Sequence, residues 1–134
     1  MMSTEQIGDK LQLAEMGARY CDACDTQDWD AALALFTDDA FLDASAVYGK
    51  TFTGHAEIRE FFESAPPCLG HHATGFYSDL ADDSQGTARL KMLTLFKRNT
   101  FTVDYDWNVV KVDGVWKIAR QSFQVIGKQD LNTD

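Results

Sequence analysis

Proton transfer at carbon needs a base whose basicity lies near neutral pH and a group to hold it in one tautomer, and three residues of this chain have those types. Asp25 ends a long amphipathic segment, and His71 and His72 open a strand-like run. A carboxylate that accepts a hydrogen bond from one imidazole nitrogen leaves the other free to take a proton. Counting back from Asp25 at helical spacing gives Cys21, Ala18, Ala14, Leu11 and Ile7, an apolar row that ends in a charge. Such a charge sits at the mouth of a cavity or is paired, because an isolated buried carboxylate is too costly to persist. The plainer role for Asp25 is a helix cap, since a second helix is predicted to start just beyond it around Asp28-Trp29.

The elements that must position these groups follow from periodicity. The spacing predicts a first helix over about 4–24, with Gly17 allowing close approach to a sheet, and a second, shorter helix over 28–36 facing inward with Ala32, Leu35 and Phe36. Residues 40–53 read as a short strand pair. Gly54-His55 then opens a third helix carrying Ile58, Phe61 and Phe62, which Pro66-Pro67 stops. Beyond this the chain is strand-like. His72, Thr74, Phe76, Ser78 and Leu80 share one face of the first long strand, with His71, Ala73, Tyr77 and Asp79 on the other. Ala88, Leu90, Met92, Thr94 and Phe96 form a second inward row, and Phe101, Val103, Tyr105, Trp107 and Val109 a third. An Asp113-Gly114 hairpin leads to a last strand with Trp116, Ile118, Arg120 and Ser122 on one side and Ala119, Phe123 and Val125 on the other. Lys128 to Asp134 reads as a frayed tail. Three helices and then a four-strand meander predict an α+β fold, a bent sheet closed by helices around a conical pocket lined with aromatic and Met side chains.

With 134 residues and 45% hydrophobic content the chain suits one domain, 1–134. Its net charge of -9 repels nucleic acid and anionic membrane surfaces, and no run of about 20 apolar residues exists to cross a bilayer. The three cysteines are odd in number and the opening MMSTEQIGDK is polar, so the expectation is no leader, reduced thiols and a cytosolic setting. Cys21-Asp-Ala-Cys24 falls late in a helix, where nothing lowers a thiol pKa, so a redox or zinc role is not expected. A metal site on Asp25, His71 and His72 is disfavoured because adjacent strand histidines diverge.

The helical opening with Tyr20 and Asp25, the stretch from Asp28-Trp29-Asp30 to Leu35-Phe36-Thr37-Asp38-Asp39-Ala40, Gly54-x-x-x-Ile58-x-x-Phe61-Phe62, His71-His72 and Asp113-Gly114-Val115-Trp116-Lys117-Ile118 resemble the SnoaL-like branch of the NTF2-like fold. The resemblance covers nearly the whole chain. It implies a cone of three N-terminal helices packed in a strongly curved antiparallel or mixed sheet. The segment around Asp25 is similar to that of scytalone dehydratases, whose Asp pairs with a His on the first long strand, and the hexachlorocyclohexane dehydrochlorinases share that dyad. Matching register puts the two roles on Asp25 and His72. Departures are also plain. The dehydratase's second His matches Thr94 and its two tyrosines match Cys24 and Ala44. The dehydrochlorinase's helix cation matches Tyr20, and its late-strand Arg falls beside Arg120, nearer Gln121.

These readings together predict a lyase (dehydratase) or isomerase that needs no cofactor or metal, with Asp25-His72 as general base on a small hydrophobic, cyclic or polyketide-like substrate; His71, on the opposite face, is the weaker choice, and a one-residue shift of register exchanges the two. Tyr20, Tyr48 and Tyr105 are the candidates to donate a hydrogen bond to a substrate oxygen, with Thr94 and Asn108 behind them and Arg120 either a pocket cation or half of a surface ion pair. The alternative is a non-catalytic domain of the same fold that binds a small ligand or a partner. The resemblance further implies a homo-oligomer, dimer or trimer, through the outer face of the sheet.

Overall fold

The computed structural model describes residues 1–131. Its elements are helix α1 (Thr4–Asp25), helix α2 (Trp29–Leu33), strand β1 (Phe36–Asp43), the single turn α3 (Ser45–Tyr48), strand β2 (Thr51–Thr53), helix α4 (Gly54–Ser64), and strands β3 (Gly70–Leu80), β4 (Gln85–Leu95), β5 (Asn99–Val112) and β6 (Val115–Asp130). Six strands form one curved sheet in the order β2-β1-β6-β5-β4-β3, parallel at β1·β6 and antiparallel elsewhere. Asp113 and Gly114 both take positive φ, which matches the right-handed twist of the β5–β6 hairpin. The predicted α+β cone is the observed architecture.

Helix α1 starts at a capping box, Ser3 and Gln6 each satisfying the other's backbone N–H. Trp116 on β6 pins it, donating its indole N–H to Asp9 (2.9 Å) and its backbone N–H to the Gln12 side chain (2.8 Å). The buried face of α1 carries Leu13, Met16, Gly17 and Tyr20. It lies about 100° around the helix, one residue's turn, from the row expected to face inward, and Ile7, Leu11, Ala14 and Ala18 are exposed. Asp25 therefore stands at the edge of the buried face, not at the end of a core stripe. At Gly17 a Cβ would meet Leu90 and Phe76 side chains at 3.3 and 3.4 Å, so helix and sheet approach closely there.

Helix α2 is shorter than expected, ending at Leu33, because Phe36 already opens β1 and Leu35 accepts a backbone hydrogen bond from Ile118. Its N-cap is Asp28, whose carboxylate accepts from the Ala31 N–H (3.1 Å). That leaves the Asp25 carboxylate free of capping duty. The expected tail is strand as far as Asp130: Lys128 pairs with Phe101 and Asp130 with Asn99. Residues 132–134 of that tail lie outside the described residues.

Two of the sheet's departures from strict alternation decide the placement of the expected site residues. Ala73 faces Met92 and Gly75 faces Lys91, so Thr74 is an extra residue in β3. Val109 faces Ile118 and Asn108 faces Arg120, so Ala119 is extra in β6. Each β-bulge reverses the numbering parity of the inward face on its far side. In β3 the inward residues are Phe76, Ser78 and Leu80 after the bulge but His71 before it; in β6 they are Trp116 and Ile118 before and Gln121 and Phe123 after.

Candidate active site

The end of α1, the segment before β3, and the inner faces of β4, β5 and β6 enclose a cavity of about 160 Å³. Trp29, Phe61, Phe62, Phe96, Phe101 and Phe123 supply much of its apolar wall, with Trp29 stacked on Phe62 at 5.3 Å between centroids. Its size is close to that of an apolar protein cavity able to hold one benzene ring, about 150 Å³.

Asp25 faces His71 across the mouth. Oδ1 lies 2.7 Å from His71 Nδ1, and the carboxylate also accepts from the His71 backbone N–H at 2.9 and 3.1 Å. Three contacts to one residue fix both the strand end and the ring, and they leave Nε2 as the nitrogen with no carboxylate on it. The His71 side chain is 16% exposed and that of Asp25 29%. Burial alone would pull the imidazole pKa down. Hydrogen bonds to the Cys68 thiol and to Asp25 outweigh that and raise it above its ordinary value.

The geometry corrects the expected partner of Asp25. His72 is exposed on the opposite face, its ring folded back so that a Cβ on Gly70 would lie 2.9 Å from His72 Nε2. The reason is the Thr74 bulge: counting back from Phe76 in strict alternation selects His72, whereas the extra residue turns His71 inward. Gly75, a glycine inside a strand pattern, is the sequence signal that could have located the bulge. His55 is partly buried, with its ring nitrogen 3.2 Å from the Phe36 carbonyl oxygen, a structural contact.

Tyr20, Tyr48, Thr94 and Tyr105 all line the cavity. Thr94 stands directly opposite His71 on the neighbouring strand. Tyr20 and Tyr105 meet edge to face at 5.8 Å, and burial pushes the pKa of both phenols well up, so they stay protonated donors. Tyr48 is at the rim, half exposed against Phe61. Asn108 is exposed on the outer face. Of the two roles open to Arg120, pocket cation or half of a surface ion pair, the structure shows the second. The Ala119 bulge turns it outward, where it binds Asp43 (3.2 Å) and covers the Phe41 ring. Gln121 takes the inward place, fully buried, and sequence alternation missed it for the same reason.

Asp25, Cys68 and His71 present donor atoms within 4.8 Å of one another, the best candidate metal set among the described residues. Cys68 Sγ, however, is engaged as a donor with the Gly70 and Leu95 carbonyl oxygens, each at 3.2 Å, while a metal ligand must be a thiolate acceptor. Asp25 and His71 point at each other and not at a common centre. All three cysteines are free; burial pushes the Cys24 thiol up to about 12, the reverse of a reactive redox pair. No helix among the described residues is long and apolar enough to cross a membrane.

A bent mixed sheet closed by a long helix, with a carboxylate-imidazole pair at the mouth of an aromatic cavity, defines a class of small pocket-bearing α+β proteins. Within it, this chain belongs to the SnoaL-like domain family, whose model matches residues 5–122. Its fold is similar to that of hexachlorocyclohexane dehydrochlorinase LinA-type3 from Novosphingobium barchaimii LL02, at TM-score 0.86 and 12% identity over 97% of this chain and 94% of that one. A protein from Novosphingobium aromaticivorans DSM 12444 provisionally named a scytalone dehydratase aligns at TM-score 0.80 and 18% identity, over 99% and 94%. Another from Novosphingobium aromaticivorans DSM, provisionally named an aromatic ring hydroxylase, aligns at 0.78 and 26% identity, over 93% and 94%. No curated protein matches the sequence.

Proposed function

We propose that the protein is a lyase or isomerase that removes a proton from carbon, with His71 as the base and Asp25 as the residue that orients it, on a small cyclic substrate. The observation that carries the reading is the 2.7 Å contact of Asp25 Oδ1 with His71 Nδ1 at the mouth of a ring-sized cavity. Asp25 holds the proton on Nδ1, so Nε2 has its lone pair toward the substrate. Nε2 takes a proton from a carbon α to a carbonyl, and the electron pair moves to the carbonyl oxygen as an enolate. The enolate is stabilised by a hydrogen bond from the tyrosine end of the cavity, donated by Tyr105 with Tyr20 behind it. In a dehydration the enolate expels a β-hydroxyl, which leaves as water with the proton from the imidazolium. In an isomerisation that proton returns to a different carbon.

Support comes from the dehydrochlorinase and the dehydratase-like neighbour, whose named reactions are eliminations, and from the ring-acting designation of the third. Self-association through the outer sheet face belongs to the same proposal and is read by light scattering on the purified chain. The function itself is tested by screening cyclic β-hydroxy ketones and their unsaturated isomers with the wild type, then comparing His71→Gln, Asp25→Asn and His72→Gln. Turnover that falls at least about 100-fold in the first variant and persists in the last supports the assignment. Turnover retained in His71→Gln removes it.

A further inference from the structure

Behind the tyrosine end of the cavity lies a buried polar chain whose direction is set at its far end. Trp107 Nε1 is 2.9 Å from Gln121 Oε1, and Gln121 Nε2 is 3.0 Å from the Tyr20 hydroxyl oxygen. Trp107, Gln121 and Tyr20 are each at most 2% exposed. An indole N–H can only donate. It therefore forces the carboxamide oxygen toward itself and the amide N–H toward Tyr20, because the flipped amide would set two donors against each other with no water to relieve them. The Tyr20 oxygen must accept, and its single proton is directed onward. The Tyr105 phenol lies on that side, its ring edge to face with Tyr20 at 5.8 Å between centroids, and both line the cavity.

We propose that Trp107 and Gln121 are positioning residues that lock the Tyr20–Tyr105 end of the cavity as a one-way hydrogen-bond donor, so that the site selects ligands presenting an acceptor oxygen there, a ring carbonyl or its enolate. The proposal deepens the reading above by naming where the substrate oxygen lies and what it must be. It places the abstracted hydrogen beside His71 and the neighbouring carbonyl oxygen toward the tyrosines, within one ring-sized space. A freely rotating amide would let both tyrosines reverse and accept from a ligand O–H or N–H. Donor polarity would then be lost without any loss of shape.

The test reads polarity in the resting protein and needs no turnover. The probes are cyclohexanone, labelled with 13C at the carbonyl, and methylenecyclohexane, which has the same shape and no acceptor. In the wild type the bound ketone gives one carbonyl stretching band, displaced downward from its position in hexane. Trp107→Phe, which frees the amide to rotate, and Gln121→Leu, which breaks the chain, each add an undisplaced component. Each also lowers the ketone-to-methylene affinity ratio about fivefold, the worth of one net hydrogen bond. Tyr105→Phe removes the displacement, and His72→Gln, exposed outside the cavity, leaves both readouts unmoved. Two variants address the relay, so a failure of Trp107→Phe to fold leaves Gln121→Leu to decide. An undisplaced band in the wild type, no binding of cyclohexanone at millimolar concentration, or an unchanged ratio in a folded relay variant overturns the proposal. Loss of displacement in the variants alongside full turnover by His71→Gln would instead keep the donor lock and remove the base.

Discussion

Replacing Asp25 by Asn keeps the shape of the contact with His71 and an oxygen able to accept from its backbone N–H, but removes the charge. The consequence for stability depends on pH in a direction the structure fixes. His71 has its pKa raised in the folded protein above the ordinary value of about 6.5. A group raised on folding stabilises fully below its unfolded pKa, and that contribution is lost as pH rises through the folded value. A hydrogen bond to a charged partner is worth about 1.5–3 kcal/mol net. The Asp25 side chain is 29% exposed, and water competes for it, so about 1–2 kcal/mol is the expected loss in Asp25→Asn near pH 6. By pH 9 the ring is neutral in both proteins and the loss shrinks to a few tenths of a kcal/mol. Urea unfolding of wild type and variant at the two pH values measures this, and taking the difference cancels the other titrating groups they share. An NMR titration of the His71 ring supplies the second reading, with the pKa falling in the variant. A stability gap that stays constant or widens toward pH 9, or a wild-type ring titrating at or below 6.5, refutes the charge-assisted contact.

Three further outcomes follow from the same coordinates. If neutral His71 is the base, kcat/KM on any substrate that is turned over rises with pH to a plateau through an apparent pKa above 6.5, and a profile that falls over that range excludes it. Arg120→Ala, which loses an exposed ion pair with Asp43 and the cover over Phe41, costs less than about 1 kcal/mol by thermal unfolding and leaves kcat unchanged; a large drop in kcat would return Arg120 to the pocket. Gly86→Ala is a damaging glycine change. Its Cβ would come within 2.7 Å of the Asp79 backbone oxygen across the β3–β4 ladder, so a loss of about 1–3 kcal/mol in urea is expected, whereas wild-type stability would show that the hairpin yields freely.

The architecture was legible because most of its elements obey one period from end to end. In β5 the inward row Val103, Tyr105, Trp107 and Val109 follows uninterrupted alternation, and all four are buried. The same holds for Ala88, Leu90, Met92 and Thr94 in β4. The second helix was expected to start around Asp28, and Asp28 is its N-cap. The face of α1 was not legible. Small and apolar residues occur on two neighbouring faces, and only the sheet selects the one carrying Leu13, Met16 and Tyr20 over the one carrying Ile7 and Leu11.

The two misplaced site residues share one physical origin. His72 for His71 and Arg120 for Gln121 are both errors of a single position, and each lies beyond a bulge from the segment used to count. Period-two reasoning is exact within a regular ladder and inverts across one extra residue, so its failures concentrate where a sheet bends most. In a cone-shaped fold the sheet bends at the pocket. The bulge at Thr74 turns an imidazole onto the Asp25 carboxylate, and the bulge at Ala119 turns a carboxamide, not a guanidinium, onto Tyr20. Without that second inversion the interior would receive a cation beside the tyrosines. With it, the polar end of the cavity is built from neutral donors in a fixed order, and the charged pair of the site is confined to its mouth.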